Sequence, residues 1–131
     1  MRHFRRVFPP FVLALLAACV VNPAPVVDAE ADRTLPVPAG LSTPGSQVRV
    51  LLPGHSEPIL VWRTEIGFGG TSIRCHRCRS DVRYNAEKGW LDCLGGRCRY
   101  KTDGTVLEGP AKTPLRVYLV DLDGGRLRIL G

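Results

Sequence analysis

Short alternating runs of apolar and polar residues make up most of this chain beyond residue 45. Residues 47–52 and 58–63 are rich in β-branched side chains and are separated by a Pro-Gly turn signal. Residues 71–74 follow a glycine-rich break, and an Asp-Gly-Gly turn joins residues 115–122 to residues 126–130 as a hairpin. No segment has the spacing of an amphipathic helix. The pattern predicts an all-β fold with a small antiparallel β domain.

The first eighteen residues have a different character. Three arginines precede an apolar run over residues 7–18, which is too short to span a bilayer as a helix. The run ends in Leu-Ala-Ala followed by Cys19, and this motif resembles the lipobox of bacterial lipoproteins. The resemblance implies a signal peptide over residues 1–18 and a lipid anchor on Cys19. The expected protein is exported and membrane-anchored in the cell envelope, facing the periplasm or on the outer membrane. The alternative interpretation is an ordinary signal peptide followed by an incidental cysteine.

A proline-rich segment follows the lipobox. Residues 19–44 contain five prolines and show no helical periodicity, so they are predicted to form an extended, poorly ordered tether. The folded domain is then expected over residues 45–131. A domain of this size gains materially from a metal or disulfide cross-link.

Charge is concentrated in the second half of the chain. The net charge of +6 falls to +3 when residues 1–18 are removed, because they hold three arginines and no acid. Between residues 74 and 101, eight basic side chains stand against three acids. Outside the cytoplasm a nucleic acid is not the expected ligand. A basic rim around an anionic metal centre or a docking face for an acidic partner fits better, and a solvated loop surface is the ordinary alternative.

Four cysteines in this domain carry the candidate chemistry. Cys75, Cys78, Cys93 and Cys98 are spaced C-x2-C, fourteen residues, then C-x4-C. Two short cysteine loops on neighbouring hairpins can bring four thiolates together on one ion, as in rubredoxin-like and zinc-ribbon-like subdomains. In an oxidising compartment the same cysteines can instead form disulfides. Spacing and compartment alone favour neither outcome.

From Cys75 onward the chain resembles the Rieske iron–sulfur family. The family pattern C-x-H-x-G-C corresponds to the loop at residues 75–80, and C-P-C-H-G-S corresponds to the loop at residues 93–98. An aromatic residue, a glycine turn, a Gly-Pro-Ala motif at residues 109–111 and a final hairpin follow in the family's order. The resemblance implies a small Rieske-like β domain in which the two loops bind a [2Fe–2S] cluster.

The ligand positions depart from the family pattern. Cys75 and Cys93 match the two cysteine ligands. The two histidine positions are occupied by Arg77 and Gly96. The two positions of the family's loop-bridging disulfide are occupied by Ser80 and Gly95. Cys78 and Cys98 are gained beside the lost histidines, so the ligand count is kept. His76 is interpreted as a surface residue more readily than as a replacement ligand, because a ligating imidazole needs an orienting partner.

These observations predict a membrane-anchored Rieske-like protein with a metal centre at the four cysteines. Electron transfer through a [2Fe–2S] cluster, with a protein redox partner, is the leading expectation. The alternative is a redox-inert binding module held by zinc or by disulfides. An enzyme is not expected, because a four-thiolate site leaves no open coordination position and no catalytic constellation stands out.

Overall fold

The computed structural model describes residues 24–131, and over these residues the protein is all-β, as predicted. Eleven strands and one short 3-10 helix, Ala39–Leu41, make up the regular structure. The signal peptide predicted over residues 1–18 and the lipid anchor at Cys19 lie outside the described residues. The strands are β1 Val26–Asp28, β2 Thr34–Pro36, β3 Gln47–Leu51, β4 Ile59–Arg63, β5 Phe68–Ser72, β6 Val82–Asn85, β7 Trp90–Cys93, β8 Arg99–Tyr100, β9 Val106–Glu108, β10 Val117–Asp123 and β11 Arg126–Leu130.

Seven of the strands form the larger sheet. Their order is β1-β3-β4-β5-β10-β11-β2; β1 pairs in parallel with β3, and every other pair is antiparallel. One face of this sheet covers a core of fully buried aliphatic side chains and one tyrosine. The core residues are Leu35, Leu41, Val48, Val50, Leu52, Ile59, Val61, Tyr118, Val120, Leu127 and Ile129.

A second, four-stranded sheet is inserted between β5 and β10. It has the order β6-β7-β8-β9 and packs on the opposite face of β4. Ile59 and Val61 of β4 face the first core, while Leu60 and Trp62 face the second. Burial on both faces explains why β4 is a continuous apolar run instead of an alternating one. The four cysteines belong to the inserted sheet and its loops.

The prediction of a poorly ordered tether is wrong for its described part, residues 24–44. β1 pairs with β3, β2 pairs with β11, and Leu35 and Leu41 are 2% and 0% exposed. Proline content suggested a linker, but β2 is an edge strand, where Pro36 loses no ladder hydrogen bond. The described domain therefore includes residues 24–44 and does not start at residue 45.

The strands predicted near residues 47–52 and 58–63 and the final hairpin are confirmed with small shifts in their ends. The strand predicted at residues 71–74 instead begins at Phe68 and runs through the glycines. At Gly69 a Cβ atom would overlap the indole ring of Trp62, so the glycine makes room for this core side chain. No helix in residues 24–131 is long and apolar enough to cross a membrane.

Candidate metal centre

Two tight loops of the inserted sheet present the cysteines. The first loop is closed where the N–H of Cys75 donates to the carbonyl of Ser80, at 2.9 Å. The second is closed where the N–H of Cys93 donates to the carbonyl of Cys98, at 3.0 Å. Each closure fixes the backbone at both ends of its loop and so restricts where the cysteine sulfurs of that loop can lie.

Glycines let neighbouring loops approach one another closely. A Cβ atom on Gly95 would lie 3.0 Å from Cβ of Cys78 and 3.1 Å from the hydroxyl of Ser80. A Cβ atom on Gly109 would overlap the carbonyl oxygen of Arg97, and Gly109 has φ +100°. Three loops, at residues 75–80, 93–98 and 109–113, thus converge at one end of the inserted sheet. We call this end the tip.

Three of the four predicted sulfurs form a compact group. The Sγ atoms of Cys75, Cys78 and Cys98 all lie within 4.8 Å of one another. The Sγ atoms of Cys78 and Cys98 are 3.8 Å apart, whereas a disulfide bond is about 2.0 Å long. Two thiolates bound at about 2.3 Å to a tetrahedral zinc ion would be about 3.8 Å apart. The spacing therefore suits a shared metal ion.

Cys93 lies beside this group and not within it. The thiols of Cys78 and Cys75 both influence the pKa of Cys93, but its Sγ is not among the three that lie mutually within 4.8 Å. Cys75, Cys93 and Cys98 are buried and Cys78 is partly exposed. Cys93 is therefore adjacent to the three-sulfur group and is the one cysteine of the four predicted ligands that lies outside it.

Hydrogen-bond donors point at the sulfurs. The hydroxyl of Tyr100 donates to Sγ of Cys75 at 2.9 Å, and both side chains are 0% exposed. The N–H of Cys78 also donates to Sγ of Cys75, at 3.5 Å. Burial raises the pKa of Cys93 and of Cys98, and the backbone N–H groups of Gly95 and Ala111 partly offset that effect. Such donors stabilise the thiolate form that binds metals.

The pKa values of the thiols are spread accordingly. Burial raises the pKa of Cys75, but the Tyr100 hydroxyl and the backbone N–H groups of Cys78 and Arg77 outweigh it and lower that pKa to about 7. Burial raises the pKa of Cys98 to about 11 and also raises the pKa of Cys78 and of Cys93. Cys75 is therefore the first thiol to ionise in the metal-free protein.

The residues at the tip do not fit a histidine-ligated Rieske cluster. Arg77 and Gly96 stand at the two histidine positions, and both are exposed. His76 is exposed in a groove together with Arg77 and Lys112, and within residues 24–131 no histidine joins the sulfur group. The thiols of the four cysteines are the donor set that remains.

Sequence reasoning gave Tyr100 no role at the site. Tyr100 lies two residues after Cys98, so both side chains point to the same inner face of the sheet. An inward tyrosine needs a partner for its hydroxyl. Its spacing from Cys98 was the available signal, but the partner, Cys75 on the other loop, could not be read from the sequence.

Comparisons with known proteins agree on the fold. No family model and no curated protein matches the chain. The cyanobacterial plasma membrane Rieske protein PetC3 from Synechocystis PCC 6803 is similar in structure, with a TM-score of 0.55 and 18% identity over 65% of this chain and 86% of that one.

Two ferredoxin structures are similar as well. The ferredoxin of carbazole 1,9a-dioxygenase from Nocardioides aromaticivorans IC177 gives a TM-score of 0.58 with 22% identity, over 67% of this chain and 86% of its own. The complex of reduced oxygenase and oxidized ferredoxin in carbazole 1,9a-dioxygenase gives 0.61 with 22% identity, over 76% of this chain and 94% of the matched one. The chain therefore has a Rieske-type fold, and its inserted sheet carries a cysteine group compatible with metal binding.

Proposed function

We propose that this protein is a one-electron carrier in which four cysteine thiolates hold a single iron ion at the tip of a Rieske-type fold. The observation that carries the proposal is the mutual approach of three sulfurs to within 4.8 Å, with a fourth beside them. The ligands are Cys75, Cys78, Cys93 and Cys98. The protein carries electrons in this proposal and is not itself a catalyst.

The compact spacing favours one ion over the [2Fe–2S] cluster expected from the family resemblance. In a cluster bound by four cysteines each iron binds two thiolates, so the sulfurs divide into two pairs on opposite sides of the core. Here the Sγ atoms of Cys75, Cys78 and Cys98 lie mutually within 4.8 Å, so these three do not separate into members of different pairs. A tetrahedral set of four thiolates suits a single iron or zinc ion. Iron bound there would supply one-electron redox chemistry.

The position of the site supports electron transfer. Cys78 is partly exposed, and the neighbouring backbone at Gly95 and Gly96 is open to solvent, so a partner could approach the metal closely. Structural neighbours include a Rieske protein and ferredoxins, one of them in a complex with its oxygenase. By analogy, the carrier would have a protein redox partner.

A zinc-stabilised, redox-inert module is the second candidate. The observation that favours it is that three of the eleven buried residues of the second core are cysteines: Cys75, Cys93 and Cys98. Metal binding would cross-link this small core. A four-cysteine zinc site supplies about 10 kcal/mol or more of folding free energy.

Metal analysis separates these functions. We would purify the protein anaerobically and measure iron, zinc, acid-labile sulfide and the visible spectrum. One iron without sulfide, with a colour that dithionite bleaches, supports the proposal. Two irons with two sulfides would retain the electron carrier but refute the single ion, and one zinc without colour would establish the second candidate. Absence of metal with all thiols oxidised would refute both.

Variants of single cysteines supply the matched control for that measurement. Cys98→Ser removes one proposed ligand and should abolish stoichiometric metal binding. Cys19→Ser removes a thiol outside the described residues and should leave metal content unchanged. Equal metal loss in both variants would contradict the assignment of the ligands.

The proposal includes a lipid anchor at Cys19. The described chain starts at Ala24, five residues later, so the span between them is at most about 18 Å. The anchor would therefore hold the domain close to the membrane surface. Mass spectrometry of the mature protein should show a diacylglycerol-modified N-terminal cysteine. An unmodified protein that stays in the soluble fraction would contradict the anchor.

A further inference from the structure

Exposed cations surround the sulfur group at the tip. His76, Arg77 and Lys112 line one groove together with Pro110 and Thr113. Arg79 of the loop at residues 75–80 and Arg97 of the loop at residues 93–98 add exposed cationic side chains. We define the tip face by its four permanent cations: Arg77, Arg79, Arg97 and Lys112.

The cations of the tip face have no acidic partners within the protein. Over residues 24–131, ion pairs within 4.0 Å join other arginines to carboxylates, among them Arg74 to Glu57 and Arg99 to Glu108. None of the four tip cations takes part in such a pair in this part of the chain. Residues 1–23 contain no Asp or Glu. These four charges are therefore free to interact with another molecule.

The metal centre does not account for all of this charge. Four thiolates around a divalent ion carry a net charge of −2, against +4 from the tip cations, so an excess of positive charge remains at the tip. A clustered excess of one sign steers molecules of the opposite charge to the surface. The face also has an apolar part, since Leu94 is 56% exposed and Pro110 is exposed beside the cations. An apolar patch bordered by charge is typical of protein–protein interfaces.

We infer that the tip face is the docking surface for an acidic protein. The kind of partner rests on the proposed function, because the partner would be a protein that exchanges an electron with the metal centre beneath the tip face. Docking itself involves no redox step, so it can be tested on the zinc-loaded protein, where failure of electron transfer cannot be mistaken for failure of docking.

The test uses two electron carriers of opposite charge and one lipid as probes. An acidic plant-type ferredoxin, a basic c-type cytochrome and phosphatidylglycerol vesicles are titrated into the 15N-labelled zinc form, and amide shifts are followed by NMR. The ferredoxin should shift amides in the loops at residues 75–80, 93–98 and 109–113. Its affinity should fall between 20 and 200 mM salt, because added salt screens exposed charges.

Charge-neutralised variants locate the interaction. Arg77→Gln with Lys112→Gln should weaken ferredoxin binding about tenfold, since each exposed pair contributes a factor of a few. Lys88→Gln with Lys101→Gln removes two exposed cations that are also outside any ion pair within residues 24–131 but lie outside the tip loops, and should change affinity less than about twofold. The NMR spectra and zinc content report whether each variant remains folded.

Three results would overturn the inference. Ferredoxin shifts that fall outside the tip loops, or equal weakening by both double variants, would remove the tip face as the site. Equal binding of the cytochrome would refute selection by charge, and stronger binding of the vesicles at the tip would make it a lipid-facing surface. A native protein that contains only zinc but binds ferredoxin at the tip would refute the electron carrier and leave the docking surface intact.

Discussion

Removing the hydroxyl of Tyr100 tests the link between the second core and the metal centre. In Tyr100→Phe the ring stays in place, but Sγ of Cys75 loses a hydrogen bond of 2.9 Å in a fully buried environment. A hydrogen bond to a charged group contributes about 1.5–3 kcal/mol. Since 1.4 kcal/mol is about a factor of ten in binding, zinc affinity should fall about 10- to 100-fold, as for loss of other orienting partners of metal ligands.

The same substitution should shift the titration of Cys75 in the metal-free protein. The hydroxyl favours the thiolate, and it helps to lower the pKa of Cys75 to about 7. Without it the pKa must rise, so a smaller fraction of Cys75 is thiolate at pH 7. Zinc affinity is measured by competition with a chromophoric chelator, and the Cys75 pKa by the pH dependence of alkylation.

Tyr84→Phe is the matched control. The Tyr84 ring stacks on Trp62 at 5.2 Å, within the same half of the molecule, and its hydroxyl hydrogen-bonds to nothing among the described residues. This variant should leave both zinc affinity and the Cys75 pKa unchanged. Unchanged affinity in Tyr100→Phe, or an equal loss in Tyr84→Phe, would refute the assigned role of the Tyr100 hydroxyl.

Three further predictions concern the ligands, pH and the loop glycines. Cys98→Ser should weaken metal binding at least about 100-fold while Cys19→Ser has no effect, as chelator competition will show. Metal binding displaces thiol protons, so metal affinity rises with pH. The pKa of Cys75 is about 7 and the pKa values of the other three thiols are raised, so about four protons should be released per ion below pH 7 and about three just above it. Calorimetry in buffers of different ionisation enthalpy counts the released protons. Gly109→Ala should destabilise the protein by about 2–4 kcal/mol in urea unfolding, because its φ is +100° and its Cβ would overlap a carbonyl oxygen. Gly96→Ala, with φ +78° and open space around it, should cost only about 1–2 kcal/mol, and equal losses would contradict the close loop contact.

Local sequence patterns predicted β3, β4, part of β5 and the final hairpin, but not the strands β6–β9 of the inserted sheet. They did not predict β1 and β2, because three-residue edge strands among prolines are defined by their partners in the sheet. Leu35 and Leu41 gave too weak a signal against that proline background, although both are buried in the first core.

At the candidate site, too, local sequence patterns predicted only part of what the structure shows. Cysteine spacing predicted two loops with convergent sulfurs, and the structure brings three of the four sulfurs together. The displacement of Cys93 and the bond from Tyr100 depend on how β7 and β8 pair and on what packs beneath them. Such contacts join residues far apart in the chain, and spacing within one loop carries no information about them.

The inserted sheet leaves and re-enters the larger sheet at adjacent points. The N–H of Ser72 donates to the carbonyl of Arg116 at 2.8 Å, and Thr71 lies opposite Val117 in the ladder. Residues 73–116 therefore begin and end at neighbouring positions of one ladder, so a replacement segment has to close the same short gap and also cover Leu60 and Trp62 on the second face of β4. A graft that carried a histidine-containing pair of loops between Ser72 and Val117 would give one scaffold with two interchangeable metal chemistries. Conversely, a short turn in the same place would uncover Leu60 and Trp62, and the resulting loss of stability would measure what the inserted sheet contributes to the larger one.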